Sequence, residues 1–166
     1  MTIHRFPTRN PFVALLGSVS LLAGLLLTTS AAAGGVERAT DLQALAGNGN
    51  GQPTLIMFAS SSCPYCDRAE QRHLGPMAKD PAFAGVHILK VMLDREAVRD
   101  FDGETLAGNA LGRNYGVRVV PTIMAFDAEG RRAGTPLVGI PNEQLYRSQI
   151  RVRIEAARQT VRDPSS

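Results

Sequence analysis

The stretch TLIMFASSSCPYC, residues 54–66, decides the fold class. Its first six residues, 54–59, form a run in which every residue after Thr54 is apolar, which is typical of a strand buried on both faces of a sheet. A short serine segment then leads to Cys63 and Cys66, the only two cysteines among 166 residues. Two cysteines this close can form a structural bridge, hold a metal or act as a reactive dithiol.

A helix is predicted to follow the cysteines, because residues 67–74 are rich in helix formers, and Gly75-Pro76 is predicted to end it. Cys63 would then lie at the N-terminus of a helix, where unpaired N–H groups and the helix dipole favour a thiolate. Pro64 suits the first helical turn, where its missing N–H costs nothing. Cys66 would lie one turn further on, placed to attack a mixed disulfide formed at Cys63.

The other two interpretations of the pair are weaker. A bridge stabilises a fold mainly by closing a long loop of the unfolded chain, and Cys63–Cys66 closes a very short one. A zinc site needs about four ligands, and beyond residue 33 only His73 and His87 could join the cysteines. A copper-carrier domain would show a different order of helices and strands.

Residues 1–33 are predicted to be a secretory signal peptide that is cleaved, which leaves one domain over 34–166. A basic start precedes the apolar run 12–27, and small residues follow with Ala31 and Ala33 in the A-x-A positions. The alternative is an uncleaved membrane anchor, but the run is shorter than the roughly 20 residues that span a bilayer. We therefore expect a periplasmic protein, or else one anchored by its N-terminus and facing the periplasm.

The net charge of +3 gives no indication of nucleic-acid binding once this leader is removed. Of the 18 basic residues, Arg5 and Arg9 lie in the leader, which leaves 16 against 15 acidic residues. No basic run interleaved with aromatic residues follows.

Along the remaining chain, apolar spacing and turn residues predict an α-β-α-β-α-β-β-α order. The predicted helices cover 36–46, 67–74, 105–116 and a segment capped by Asn142, and the predicted strands cover 54–59, 86–94, 122–127 and 133–139. Pro136 places the last strand at an edge. Parallel pairing of the first strands and a hairpin of the last two predict an α/β fold, with a mixed sheet covered by helices on both faces.

LIMFASSSCPYC and the later NYGVRVVPTIMAFDAEGR resemble the thioredoxin superfamily, over roughly residues 36–158. The resemblance implies a thioredoxin fold with a four- to five-stranded sheet, and a cis-proline at Pro121 facing the cysteines. It also implies that the backbone of Val120 pairs with an extended substrate and that Gly139 lies in the substrate groove. Among relatives, the exported thioredoxins of bacterial Sox sulfur-oxidation systems look most similar.

Three departures from the thioredoxin pattern stand out. Ser62 replaces the usual Trp, and Pro64-Tyr65 replaces Gly-Pro between the cysteines and is the glutaredoxin dipeptide. Met57 stands where thioredoxins bury an Asp that accepts the proton of the second cysteine, so Cys66 has to lose its proton to water or another group. Residues 95–110 form a long polar connection, read either as a solvated loop or as a surface that docks a partner.

The sequence thus predicts a thiol–disulfide oxidoreductase with Cys63 as attacking thiolate and Cys66 as resolving thiol. Pro64 and Tyr65 are expected to contact substrate. The expected direction is reduction of protein disulfides, with electrons from a membrane thiol-relay protein. The alternatives are an oxidant or isomerase of disulfides and a binding module without catalysis. We expect a monomer that needs no metal or organic cofactor, since the dithiol itself cycles.

Overall fold

A computed structural model describes residues 35–46 and 51–162 of the chain. The predicted signal peptide and its boundary lie outside the described residues, so the export hypothesis stays a prediction. Within the described ranges, no helix combines the length and the apolar character needed to cross a bilayer.

The central feature is a five-stranded mixed sheet with the order β1-β3-β2-β6-β7. Its strands are β1 (Glu37–Arg38), β2 (Thr54–Ala59), β3 (His87–Met92), β6 (Thr122–Phe126) and β7 (Arg132–Val138). The predicted run 54–59 is β2, which is buried at every residue. β2 pairs parallel with β3 and antiparallel with β6, so the predicted mixed sheet is confirmed.

Helices cover both faces of this sheet, because alternate residues of β2 point into two separate cores. Leu55 and Met57 belong to one core, and Ile56 and Phe58 to the other. The helices are α1 (Pro64–Ala69), α2 (Gly75–Ala78), α3 (Gly108–Asn114) and α4 (Tyr146–Arg162). Side chains of α1, α2 and α4 enter the first core, and Leu111 of α3 enters the second.

The predicted helix over 36–46 is wrong. Residues 37–38 form β1, which pairs parallel with β3, and a turn follows from Leu42. Val36 packs into the first core and Ala39 into the second, so the two side chains point to opposite faces of the sheet. Apolar residues three positions apart are also compatible with an extended strand, in which they point to opposite faces of the sheet. In a helix, the same two side chains would lie on one face.

Gly75-Pro76 does not end the helix after the cysteines, contrary to the prediction. A π-helical turn, Glu70–Leu74, joins α1 to α2, and the Gly75 N–H bonds to the carbonyl of Glu70, five residues back. Pro76 then lies in the first turn of α2, where its missing N–H is tolerated. The wider turn thus accommodates the proline inside a continuous helical segment.

The polar connection 95–110 contains a second, two-stranded sheet of β4 (Val98–Arg99) and β5 (Thr105–Leu106). The buried carboxylate of Asp100 accepts hydrogen bonds from the N–H groups of Asp102 and Glu104 and holds the turn between them. The predicted helix 105–116 therefore begins later, at Gly108. Whether this hairpin docks a partner is not tested.

The last two predicted elements are found with small shifts. β7 lies at an edge of the sheet, as Pro136 indicated. The Asn142 side chain accepts a hydrogen bond from the Leu145 N–H at 3.0 Å, but it caps a turn that precedes α4. α4 itself begins at Tyr146, which is fully buried.

Candidate active site

The two cysteines lie where β2 ends and α1 begins, at the edge of the sheet formed by the carboxyl end of β2. Cys63 has an extended backbone and is the N-cap of α1, as the sequence predicted, and Pro64 is its first helical residue. The two cysteines form a disulfide, with Cα atoms 5.2 Å apart. The N–H of Cys66 donates both to the Cys63 carbonyl, at 2.9 Å, and to Cys63 Sγ, at 3.0 Å.

The loop before Cys63 is held by a carboxylate from the neighbouring strand end. Asp94 follows β3 and accepts hydrogen bonds from the Ser61 N–H, at 2.9 and 3.0 Å, and from the Ser61 hydroxyl. These bonds to Ser61 hold the pKa of Asp94 below its usual value. The loop that presents Cys63 is therefore anchored to the sheet on two sides.

The residues between the cysteines are exposed, and the cysteines are not. Cys63 keeps 8% of its surface exposed and Cys66 only 3%, which agrees with the predicted attacking and resolving roles. Tyr65 is 60% exposed, and the Arg68 guanidinium lies over its ring, 5.3 Å from the centroid. Arg68 thus contacts the aromatic ring beside the disulfide.

Pro121 and Gly139 lie at the same sheet edge as the cysteines. Thr122 of β6 lies opposite Phe58 of β2, so Pro121 is level with the end of β2. The peptide bond from Val120 to Pro121 is cis, as the resemblance implied. Gly139 donates its N–H to the Pro121 carbonyl at 2.8 Å, and it has a φ of +64°, which side chains rarely adopt.

Val120 is half-buried against the core that contains both cysteines. In the part of the chain that the structure describes, its N–H and carbonyl make no backbone hydrogen bond. The pairing of these groups with an extended substrate, which the resemblance implied, stays a prediction.

Three exposed apolar side chains accompany this edge, and we call them the apolar rim: Tyr65, Val119 and Val138. Val119 is 55% and Val138 is 52% exposed. Of these three, only Tyr65 was predicted from the sequence. Val138 could have been found, because Leu137 and Val138 alternate on an edge strand, and one of them must therefore face solvent.

A polar cavity of about 190 Å³ borders Cys66. Cys66, Met57, Glu70 and Lys90 are among the residues that line it. Met57 is fully buried, as expected for the position where thioredoxins carry an Asp. Glu70 and Lys90 were not recognised from the sequence. The one sequence feature that could have indicated Glu70 is its helical spacing of four residues from Cys66.

The positions of the His, Cys, Asp and Glu side chains bear on whether this chain could bind a metal. Among the described residues, no three His, Cys, Asp or Glu side chains are grouped as a metal site would need. His73 instead contacts Glu143, at 3.1 Å, and the ring of Tyr146.

Comparison with known proteins relates this site to one family. Residues 41–150 match the model of a thioredoxin-like domain. No curated protein matches the sequence. Mitochondrial thioredoxin 3 of Saccharomyces cerevisiae in its oxidised form is a similar structure, at 16% identity and a TM-score of 0.50, covering 70% of this chain and 94% of that one.

Two further similar structures have comparable coverage. One is a structure that addresses the thiol-resolving mechanism of a yeast mitochondrial 1-Cys peroxiredoxin via glutathione and thioredoxin systems. It has 18% identity and a TM-score of 0.50, and the match covers 70% of this chain and 94% of that one. The other is the short form of thioredoxin f from spinach chloroplast, at 18% identity, 74% and 96% coverage and a TM-score of 0.49.

The family match covers well over half of the chain, and the helix-capping disulfide lies where dithiol exchange requires it. The chain therefore belongs to the thioredoxin-like domain family, has the thioredoxin fold and is a thiol–disulfide oxidoreductase with a Cys-x-x-Cys pair at Cys63 and Cys66.

Proposed function

We propose that this protein reduces disulfides of exported client proteins. The observation that carries the proposal is the placement of Cys63 at the helix N-terminus, with Cys66 buried behind it and the apolar rim around it. Cys63 as thiolate attacks a client disulfide and forms a mixed disulfide. Cys66 then attacks Cys63 Sγ, which closes the Cys63–Cys66 bond and releases the client thiolate.

The reducing direction is supported by the modest number of groups that stabilise the Cys63 sulfur. A strong oxidant owes its potential to a reduced form that is strongly stabilised. Within residues 35–46 and 51–162, the Cys66 N–H donates to Cys63 Sγ, and no Lys, Arg or His side chain does. The nearby Arg68 lies over the ring of Tyr65.

Client recognition would combine backbone pairing with apolar contact. An extended client segment can pair with the free N–H and carbonyl of Val120, beside Pro121, in the manner of an added strand. Tyr65, Val119 and Val138 offer apolar contact to the side chains of that segment. Pro64 and Gly139 would lie beside the client segment, and neither has a long side chain that would block it.

The proposed compartment is the periplasm, since residues 1–33 have the composition of a signal peptide. A reductase in an oxidising compartment needs a continuous electron supply. We propose a membrane thiol-relay protein as the donor, and the dithiol as the only redox group of the chain.

The deciding experiment is the equilibrium reduction potential of the full chain without its leader, measured against glutathione. A value near about −270 mV, as in thioredoxin, supports the reductase. A value near about −120 mV, as in strong periplasmic oxidants, would replace the proposal with disulfide formation. No exchange with glutathione at all would leave a binding module.

A further inference from the structure

The polar cavity beside Cys66 contains a half-buried ion pair that the chemistry described so far does not use. Lys90 Nζ donates to both carboxylate oxygens of Glu70, each at 2.7 Å. Only 15% of the Glu70 side chain and 20% of the Lys90 side chain are exposed. The backbone N–H of Val36 donates to Glu70 Oε1 at 2.9 Å and fixes its position further.

The pair is brought to Cys66 by two separate elements. Glu70 follows Cys66 by four residues on one helical segment, a spacing that places two side chains on the same face. Lys90 is the β3 residue paired with Met57, so it reaches the cavity from the sheet. The cavity volume exceeds several times the roughly 30 Å³ that one water occupies, so water can bridge these groups.

The resolving step needs a proton acceptor at this place. Cys66 is 3% exposed, so the loss of its proton to bulk solvent would leave an uncompensated thiolate in the core. Transfer of the proton to a carboxylate already paired with an ammonium group avoids that cost. The ammonium group then faces one negative charge before and after the transfer, and the net charge of the cavity does not change.

We propose that Glu70 accepts the proton of Cys66 through water in this cavity, while Lys90 supplies the counter-charge. The proposal rests on the dithiol function proposed above and adds the route of one proton. In the mixed-disulfide state, the Cys66 S–H proton passes to the Glu70 carboxylate. The Cys66 thiolate attacks Cys63 Sγ, and the S–S bond to the client breaks. The leaving client thiolate takes up a proton from solvent, and Glu70 later returns its proton to water.

Other charged groups line the same cavity and have to be separated from Glu70 in any test. They are Arg38 of β1, Asp67 of α1 and Arg95 after β3. Asp67 is the only other carboxylate among the lining residues, and it is exposed. It therefore provides the matched control.

The test separates attack by Cys63 from resolution by Cys66. The reduced protein, residues 34–166, is mixed with excess dithiobis-nitrobenzoate. Release of the coloured thiol is followed by stopped flow. The first release depends on reagent concentration and reports on Cys63. The second is independent of reagent concentration and reports on the intramolecular attack of Cys66.

Glu70→Gln keeps the size of the side chain and an acceptor for the Val36 N–H, but it cannot take a proton. We expect its second phase to slow by at least about tenfold near neutral pH, while the first phase stays close to that of the unchanged protein. The second phase should also fall more steeply with decreasing pH, because the Cys66 proton then leaves only to solvent. Asp67→Asn should leave both phases unchanged.

Three outcomes decide against the proposal, and one decides against the dithiol function. A second phase in Glu70→Gln equal to that of the unchanged protein at every pH overturns the role of Glu70, as does a slow second phase in Asp67→Asn. Lys90→Gln should move the midpoint of the second phase to higher pH, and an unmoved midpoint removes Lys90 from the proposal. An absent first phase in the unchanged protein would instead refute attack by Cys63.

Discussion

The backbone N–H of Cys66 lies 3.0 Å from Cys63 Sγ and donates a hydrogen bond to it. The first turn of α1 thus offers a donor to the sulfur that we propose as the attacking group. When the disulfide is opened, the same donor can stabilise the Cys63 thiolate, as can the positive end of the helix. The local geometry therefore assigns different roles to two otherwise identical side chains.

Replacement of each cysteine should give a different product. Cys63→Ser should abolish disulfide exchange, because no thiolate remains at the helix N-terminus. Cys66→Ser should form mixed disulfides with clients that are not resolved, because the attacking group of the second step is missing. Insulin reduction measures the first effect, and non-reducing gel electrophoresis of client adducts measures the second. Full activity of Cys63→Ser would refute the assigned mechanism.

The apolar rim should affect client binding and leave the redox couple unchanged. Val138→Ser removes an apolar contact beside Gly139, so we expect kcat/KM for a protein disulfide to fall by about threefold to tenfold, mainly through KM. The reduction potential should not move, because the substitution adds no charge and no titrating group beside the sulfurs. Val152→Ser is the matched control, since Val152 is 66% exposed on α4. Equal effects of the two substitutions would contradict a role of the rim.

The parts of the fold that the sequence predicts well are those with a local physical cause. Residues 55–59 are apolar throughout because β2 has a neighbour on each edge and a core on each face. The late hairpin of β6 and β7 and the N-terminal position of Cys63 follow from residues next to them in the chain. These features could be assigned without knowing any distant contact.

The missed features depend on contacts between distant segments. β1 is only two residues long and is a strand because Glu37 lies beside Leu89, some fifty residues away, a pairing that no local pattern encodes. Glu70 looks like a solvated helix residue until Lys90 is placed opposite it by the register of β2 and β3. The site was therefore predicted at its cysteines, and its charged cavity was not.

The β6–β7 turn should be a sensitive point for stability. The buried carboxylate of Asp127 accepts hydrogen bonds from the N–H groups of Glu129 and Arg131 and from the Arg131 guanidinium. Asp127→Ala leaves those donors unpaired, so the free energy of unfolding should fall by about 1–3 kcal/mol. Urea unfolding measures this, and Glu129→Ala, which keeps the backbone bonds, should change it little. A stability loss as large in Glu129→Ala would refute the assignment.

Gly130 in the same turn should tolerate no side chain. It has a φ of +80°, and a Cβ there would lie 2.6 Å from the ring of Phe101. Gly130→Ala should therefore lower the free energy of unfolding by more than about 1 kcal/mol, from backbone strain and displacement of the ring. Gly116→Ala has a similar φ of +73° with open space around it, so it separates the strain from the clash. Equal losses in both would show that Phe101 plays no part.

Stability should fall in alkaline solution in part because of Tyr115. Burial, and to a lesser degree the nearby Asp100 carboxylate, raise the pKa of Tyr115 from about 10 to about 12. The folded state thus favours the neutral phenol, and this contribution is complete below about pH 10. Above that pH, the unfolded chain ionises first, so stability is lost until the folded phenol also ionises near pH 12.

Tyr115→Phe removes the titrating group. The free energy of unfolding of this variant, measured in urea at several alkaline pH values, should decline less steeply than that of the unchanged protein. Tyr65→Phe, at an exposed tyrosine, is the control that should follow the unchanged protein, and parallel pH profiles for all three would refute the role of Tyr115.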